Sequence, residues 1–333
     1  MEAQSRREFL RWLYGAGTLG FAFGAGARAE PPPEVTRIRL AKIPGICIAP
    51  QYIADDLLRA EGFTEIDYVL SEPGTPNAVN VASGKVDFSI VFIVTAIVAL
   101  DLGNRLTMLG GVHPGCFELF VKQGINRLAD LKGKSIGIQA LGSSPQLFLE
   151  SMAAYVGLDP MREINWVTDP ELRPMDRFLR GEIDAFLGFP PEPQELRAKG
   201  VGRVLVNSAL DQPWSQYFCC LFAGNSEFVQ ANPVASKRAL RAILKAADLC
   251  VAQPASVARI LVDRKFTPNY DYALEALGDV PYRKWRDYDA EDAVRFYALR
   301  LREAGVIQAS PQEIIAKGTD WRFAEELKRE LKS

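Results

Sequence analysis

The stretch RIRLA at residues 37–41 alternates polar and apolar side chains, as a β-strand with one buried face does. A helical segment follows to about residue 61, and apolar strand segments lie at residues 66–70, 86–91 and 106–112. Short helical segments separate these strands. The resulting βαβαβ order predicts an α/β fold with a largely parallel sheet.

A second unit of the same kind starts at GKSIGI, residues 133–138, and continues through a helix and further strands to residue 206. The pattern changes at Asn232-Pro233, where an N-cap residue precedes a proline at the first helical position. Beyond this point the apolar residues follow helical spacing. We therefore predict two α/β units followed by a helical C-terminal third.

The first 29 residues have the order of elements found in an export signal. The motif SRREFL, residues 5–10, precedes sixteen uncharged residues and then Ala27-Arg28-Ala29, a small-x-small cleavage site. The uncharged run is rich in glycine and shorter than the about 20 apolar residues that span a bilayer. We predict a twin-arginine signal peptide over residues 1–29, cleavage near Ala29 and a periplasmic mature protein. An ordinary amphipathic N-terminal helix is the alternative.

The charge balance excludes some classes of partner. The chain has 39 basic and 41 acidic residues, and loss of residues 1–29 leaves 35 basic and 39 acidic residues, a net charge of −4. A mildly acidic protein lacks the basic surface that binds nucleic acid or anionic membranes. After the signal, no run of 18 or more apolar residues predicts a transmembrane helix.

Five cysteines and one histidine limit the chemistry. The cysteines, whose spacing fits neither a disulfide framework nor a zinc motif, are Cys47, Cys116, Cys219, Cys220 and Cys250. We interpret most of them as small buried apolar residues and leave their disulfide state open. Adjacent residues of a strand face opposite sides, so Cys219 and Cys220 are expected to point apart. His113 alone makes no histidine-rich metal site, and no GxSxG elbow accompanies it, so we predict no metal, cofactor or catalytic residues.

Six segments along the chain are distinctive: CIAPQY at 47–52, AEGF at 60–63, GKVDF at 84–88, LADLKGK at 128–134, GEIDA at 181–185 and NPVASKRA at 232–239. These segments resemble the solute-binding proteins of ABC importers. The similarity is to the group that contains nitrate, sulfonate and taurine binders and thiamine-pyrimidine-synthase-like proteins. Together they support a resemblance that extends from about residue 36 to about residue 265.

The resemblance implies a type II periplasmic binding protein, with two α/β lobes, a hinge and a helical C-terminal part. One lobe would comprise residues 35–117 and 223–333, and the other residues 118–222. The chain would cross between the lobes near residues 115–119 and 217–222. Closure of the hinge around a ligand is the expected motion.

Ligands of parallel α/β sheets lie beyond the carboxyl ends of the strands, which selects seven loops of the predicted fold. The residues that we predict to bind ligand in these loops are Cys47, Glu72, Phe92, Thr95, His113, Ser143, Ser144, Glu192, Trp214 and Tyr217. Ser143 and Ser144 precede a helix, where one serine can cap the helix and the other can bind an acceptor or anion. The aromatic residues can stack on a planar ligand or pack in the hinge.

The composition of these loops indicates a class of ligand. They contain Glu72 and Glu192 but neither lysine nor arginine. A strongly anionic ligand usually meets a cation, whereas a carboxylate suits amino or ring N–H groups. This favours a small polar or heteroaromatic solute, such as an aminopyrimidine, over a sulfonate. Two alternatives stay open: Glu192 as a solvated charge at a helix start, and Lys42, Arg173 or Arg177 reaching the cleft.

The sequence predicts a non-catalytic, monomeric binding protein that captures a small solute and delivers it to an ABC permease after passage through the twin-arginine export machinery. The resemblance also implies an alternative, an iron-dependent enzyme similar to the thiamine-pyrimidine synthases. Their cysteine-rich segment is similar to FCCLF at 218–222, which has only two cysteines. A periplasmic ligand sensor is the third possibility.

Overall fold

The computed structural model of the chain describes residues 30–43, 45–71, 75–169 and 171–332. The predicted signal peptide and the candidate residue Glu72 lie outside the described residues. The other nine candidate binding residues lie within them.

The first sheet has five strands in the order β2-β1-β3-β10-β4. Its strands are β1 (Arg37–Lys42), β2 (Glu65–Leu70), β3 (Phe88–Phe92), β4 (Leu106–Pro114) and β10 (Phe218–Asn225). β1 pairs in parallel with β2 and β3, but β10 is antiparallel to both β3 and β4. The prediction of a largely parallel sheet is therefore wrong for this edge, because β10 returns from the other sheet and enters between strands that run the opposite way.

The second sheet also has five strands, in the order β7-β6-β8-β5-β9. Its strands are β5 (Glu118–Val121), β6 (Ser135–Ile138), β7 (Asn165–Thr168), β8 (Ala185–Gly188) and β9 (Arg203–Asn207). β6 pairs in parallel with β7 and β8, whereas β5 is antiparallel to β8 and β9. Each sheet thus contains one strand that runs against its neighbours, and these are the strands that follow the two passages between sheets.

The chain passes between the sheets at residues 115–117 and again at residues 208–217. The two crossings are bonded to each other: Phe117 N–H donates to the Ser208 hydroxyl at 2.8 Å, and Ser208 N–H donates to the Phe117 carbonyl at 2.9 Å. Gly115 has a φ of +34°, and a Cβ there would lie 2.2 Å from the Ser208 carbonyl oxygen. Only glycine fits this close approach of two backbones. The residue ranges of the two lobes, 35–117 with 223–333 and 118–222, remain a prediction.

Helices surround both sheets. They are α1 (Ala49–Ile53), α2 (Asp55–Ala60), α3 (Asn77–Ala82), α4 (Ile93–Asp101), α5 (Ser144–Tyr155), α6 (Pro160–Glu163), α7 (Pro174–Leu179), α8 (Glu192–Lys199), α9 (Ser226–Ala231), α10 (Pro233–Ala252), α11 (Pro254–Asp263), α12 (Tyr270–Asp279), α13 (Ala290–Glu303), α14 (Pro311–Gly318) and α15 (Arg322–Glu330). Short 3₁₀ turns lie at Leu128–Leu131, Trp214–Gln216 and Tyr282–Trp285.

The C-terminal third is helical, as predicted. α10 starts with Pro233, whose fixed φ suits the first turn, and its apolar face is fully buried at Leu240, Ile243, Leu244 and Ala247. Within the described ranges, no helix combines the length and the apolar composition needed to cross a membrane. Two mixed α/β sheets with a helical C-terminal part agree with the predicted fold class.

Candidate functional site

The loops that follow β1 and β8 are in direct contact. The backbone N–H of Ile46 donates to the carbonyl of Pro190 at 3.2 Å. The ring of Phe189 lies 3.4 Å from the position that a Cβ would take at Gly45. Since β1 belongs to the first sheet and β8 to the second, loops beyond the carboxyl ends of both sheets meet, which is where ligands of α/β sheets bind.

Four phenylalanines from separate segments of the chain pack together beside these loops. Phe92, at the end of β3, lies 5.3 Å from Phe117 and 5.6 Å from Phe189, measured between ring centroids. Phe148 of α5 lies 4.5 Å from Phe117 and 6.5 Å from Phe92. The predicted residue Phe92 therefore packs against rings from the first crossing, from α5 and from the loop after β8, and Phe189 alone of the four rings is half-buried and not fully buried.

A cluster of thiols and one imidazole lies at the same end of the first sheet. Cys47 follows β1, His113 lies near the end of β4, Cys116 lies in the first crossing, and Cys220 lies in β10. One side-chain ligand atom from each of these four residues lies within 4.8 Å of the other three. The structure thus unites two predicted residues, Cys47 and His113, with two cysteines from distant segments.

The fifth member of this thiol cluster is Cys219. Its sulfur lies 3.4 Å from Cys116 Sγ and 3.7 Å from Cys220 Sγ. The expectation that Cys219 and Cys220 point to opposite faces is wrong. The ladder of β10 with β4 shifts register on both sides of Cys220, and this irregularity breaks the two-residue alternation.

The ring of His113 is fully buried and neutral. Its Nδ1–H donates to the Pro114 carbonyl at 3.0 Å, because a carbonyl can only accept, and Nε2 has no hydrogen-bond partner. Burial lowers the pKa of His113. Tyr282 stands beside it, with ring centroids 5.2 Å apart, and its hydroxyl donates to the Cys47 carbonyl at 3.0 Å. The tyrosine therefore fixes the loop that carries Cys47 against the histidine.

The thiols share this dry environment. All five cysteines are buried and free. Burial raises the pKa of the Cys116 thiol to about 11. A thiol of this kind stays protonated at neutral pH unless a cation replaces its proton. Cys250 lies apart from the thiol cluster, within α10.

Two carboxylates on the second-sheet side are shielded from water. Glu192, the first residue of α8, is half-buried, and burial raises its pKa to about 7 against the opposing attraction of Arg173. Glu150 of α5 is 2% exposed, and burial raises its pKa to about 7 as well.

Glu150 is connected to the loop before α5, and the sequence analysis missed it. Gln146 donates to Glu150 at 2.9 Å, and Gly142 N–H donates to Gln146 at 2.7 Å. The sequence feature that could have revealed Glu150 is its position as a charged residue within the apolar stretch LFLESMAA at residues 147–154.

Ser143 and Ser144 start α5, as predicted, but neither caps it in the usual way. Ser143 occupies the N-cap position, yet its hydroxyl accepts no bond from the helix and is buried with no hydrogen-bond partner. Ser144 is the first helical residue. A buried hydroxyl without a partner costs stability unless something else bonds to it.

Of the other three predicted residues, Thr95 and Trp214 are buried and Tyr217 is half-buried. The Thr95 hydroxyl donates to the Phe92 carbonyl at 2.7 Å. Trp214 is buried with its ring 5.8 Å from Tyr155. Tyr217 stacks on Phe296 of α13 at 4.0 Å. For Trp214 and Tyr217 these contacts correspond to the hinge-packing alternative.

Comparison with known proteins identifies the family. A model of the NMT1-like family matches residues 31–262, and the chain belongs to that family. Among curated proteins, it is 25% identical over 268 residues to a 4-amino-5-hydroxymethyl-2-methylpyrimidine phosphate synthase of Candida albicans, which covers 72% of this chain and 78% of the relative.

Solved structures of binding proteins share the fold. The periplasmic nitrate-binding protein NrtA of Synechocystis has a TM-score of 0.73 at 16% identity, over 90% of each chain. The alkanesulfonate-binding protein SsuA of Xanthomonas axonopodis, bound to MOPS, has a TM-score of 0.69 at 20% identity, over 88% of this chain and 99% of the other. These similarities establish the periplasmic-binding-protein fold.

Proposed function

We propose that this chain is the substrate-binding component of an ABC importer and captures one small solute between its two sheets. The contact that carries the proposal is the Ile46–Pro190 hydrogen bond, which joins loops beyond the carboxyl ends of both sheets. The chain also crosses between the sheets twice, and the two crossings are hydrogen-bonded to each other at Ser208. Two α/β units that are joined by two bonded crossings, and whose loops contact each other, suit hinge closure.

Capture would work by a shift of population. A solute that touches the loops of both sheets at once does so only when they are close together, so its binding free energy favours the closed form. The closed form would then dock on a membrane permease. We place both events in the periplasm, after twin-arginine export and removal of residues 1–29, and expect the protein to act as a monomer.

The solute that fits the site best is a small heteroaromatic molecule with amino or ring N–H groups. In the phenylalanine cluster of Phe92, Phe117, Phe148 and Phe189, Phe189 is half-buried and Phe92 is 7% exposed, so these two rings can contact a planar ligand. Phe117 and Phe148 are fully buried and support them. Glu192 offers a poorly hydrated carboxylate, and Ser143 offers a buried hydroxyl without a partner. The curated relative is named for making a pyrimidine phosphate, which is a compound of this class.

A second function has one observation in its favour. The thiol cluster contains the cysteine pair that resembles the cysteine-rich segment of thiamine-pyrimidine synthases, and the curated relatives carry that name. An enzyme of that type would consume its bound compound, whereas an importer component returns it unchanged. A periplasmic sensor would bind the solute and a membrane receptor that is not a permease.

The test is a thermal-shift screen of the chain from Glu30 to Ser333. The panel contains aminopyrimidines and other nitrogen heterocycles, sulfonates, nitrate, bicarbonate and aromatic carboxylates. A ligand at about 100 times its Kd stabilises the protein by about 2.7 kcal/mol, which is easily measured. We expect shifts with the heterocycles. Shifts with anions alone would overturn the ligand class, and silence across the panel would count against the binding role.

A further inference from the structure

The thiol cluster brings together more metal-ligating groups than a protein interior needs for packing. Cys47, Cys116, Cys220 and the ring of His113 come from four separate segments, and their ligand atoms lie within 4.8 Å of one another. Only Cys219 and Cys220 belong to the segment that resembles the synthases. Cys47, His113 and Cys116 lie outside that segment, and the fold alone brings them next to Cys219 and Cys220.

The distances are close to those of a metal site. Zinc sites have Zn–S bonds of about 2.3 Å and Zn–N bonds of about 2.0–2.1 Å, so the ligand atoms lie about 3.3–3.8 Å apart. The sulfur of Cys219, which is outside the four-residue set, lies 3.4 Å from Cys116 Sγ and 3.7 Å from Cys220 Sγ, already in this range. The largest separation within the four-residue set needs about 1 Å of contraction, which χ1 rotation of cysteine side chains supplies.

The hydrogen bonding of the His113 ring suits a metal ligand. Its Nδ1–H is held by the Pro114 carbonyl, and metal-binding histidines almost always donate their second ring N–H to a carbonyl, a carboxylate or water. Its Nε2 carries the lone pair and has no hydrogen-bond partner although the ring is 0% exposed. A buried acceptor without a hydrogen-bond partner lowers the stability of the folded protein, and a bound cation offsets that loss.

We propose that Cys47, His113, Cys116 and Cys220 bind one thiophilic transition-metal ion of the Zn²⁺ class, with Cys219 as a neighbouring or exchanging ligand. Each thiol that binds loses its proton to solvent, so three protons leave for each ion bound, and no electron is transferred. The ion would connect the loop after β1 with the first crossing and with β10. It would therefore stiffen the hinge region, independently of which solute the protein carries.

The experiment is a metal titration of the untagged full chain, reduced, stripped with a chelator and kept free of oxygen. Separate titrations use Zn²⁺, Fe²⁺ and Co²⁺. We expect one ion per chain by elemental analysis, about three protons released per Zn²⁺, and a thiolate-to-metal charge-transfer band with Co²⁺. A stoichiometry near zero, or Co²⁺ binding without that band, would overturn the proposal.

Variants locate the ion. Cys47→Ser and Cys220→Ser should each weaken Zn²⁺ binding by about 100-fold or more. Cys250→Ser is the matched control, because Cys250 is equally buried but lies in α10 and is no member of the four-residue set. Equal loss in Cys250→Ser, or unchanged binding in the other two variants, would contradict the assignment. If a cluster variant fails to fold, the Co²⁺ spectrum of the unmodified chain still decides. No solute is added, so failure here is distinct from failure of the binding function.

Discussion

The backbone N–H of Ile46 donates a hydrogen bond to the carbonyl of Pro190 at 3.2 Å. Ile46 follows a strand of the first sheet and Pro190 follows a strand of the second. The bond therefore spans the gap between the two α/β units at the edge where solutes bind in such folds. Phe189 of the phenylalanine cluster directly precedes Pro190, and Glu192 starts α8 two residues after it.

Glu192 is expected to contribute directly to solute binding. Replacing it in Glu192→Gln removes a charge-assisted hydrogen bond and should weaken binding of an amine-bearing heterocycle by about 1–3 kcal/mol. Isothermal titration calorimetry measures the change. Glu195→Gln on the same helix is the control, since Glu195 pairs with Lys199 at 2.6 Å. An unchanged dissociation constant in Glu192→Gln would remove this residue from the site.

Solute affinity should also depend on pH. Burial raises the pKa of Glu192 to about 7, so the fraction of ionised carboxylate increases between pH 6 and pH 8. A ligand that donates N–H groups to this carboxylate should therefore bind more tightly at pH 8 than at pH 6. Calorimetry at both pH values with one heterocycle tests this. The Glu192→Gln variant should lose the pH dependence, and its persistence would point to another group.

Glu150 should make folding less favourable at alkaline pH. Burial raises its pKa from the usual 4.5 to about 7, so between these values the folded state holds a proton that the unfolded state has lost. The free energy of unfolding therefore falls as pH rises through this window. Glu150→Gln should stabilise the protein at pH 8 by up to about 3 kcal/mol and have little effect at pH 4.5. Urea denaturation at both pH values measures it, with the exposed Glu65→Gln as control. Equal effects at both pH values would contradict the assignment.

Arg197 of α8 links the second-sheet side to the C-terminal helices. Its guanidinium contacts Glu118 and Asp279, and it lies 2.8 Å from Glu275. Arg197→Met would leave Glu118, 5% exposed, without its cation and should lower stability by about 1–3 kcal/mol at pH 8. The variant should also speed solute release, because it removes the contacts of Arg197 with Glu275 and Asp279, which lie on α12.

The control for Arg197 is Lys199→Met, which removes a cation from the same helix. Its partner Glu195 is on that helix too, so no link to α12 is lost. Stopped-flow measurement of dissociation and urea denaturation separate the two variants. Identical behaviour of the two variants would show that the contacts of Arg197 with α12 affect neither stability nor solute release.

Gly115 should tolerate no side chain. In Gly115→Ala the new Cβ would collide with the Ser208 carbonyl, 2.2 Å away, at a residue whose φ is +34°. We expect a loss of more than about 3 kcal/mol, since backbone and not a flexible side chain must move. Gly103→Ala is the control, because Gly103 has a φ of +82° with nothing within 4 Å of its Cβ position. That variant should lose about 1–2 kcal/mol in urea denaturation. Comparable losses of stability in Gly115→Ala and Gly103→Ala would contradict the importance of the close contact between the two crossings.

Local patterns predicted much of the fold. Proline at the first turn and the apolar spacing that follows placed α10, and strand alternation placed β1. The prediction of a helical C-terminal third gave no start for α12, which Asn269 caps by accepting a bond from the Tyr272 N–H. The antiparallel entry of β10 depends on where a distant strand returns, which no local pattern encodes.

The candidate site was less accessible to sequence reasoning. Phe92, Cys47, His113 and Glu192 were selected because the sequence places them after predicted strands or at a predicted helix start, and their role in ligand binding stays a prediction. The thiol cluster was not found, because Cys47, Cys116 and Cys220 are far apart in sequence and converge only when β4 and β10 pair. The register shift at Cys220 adds a local irregularity that strand alternation cannot anticipate.

The most direct test of the binding role is equilibrium dialysis of the chain from Glu30 to Ser333 against the best ligand of the screen, with mass spectrometry of the solute. We predict one solute bound per chain and its complete recovery without chemical change after the protein is unfolded. Recovery of a converted product, or binding that never saturates near one per chain, would contradict a binding protein and favour the enzyme.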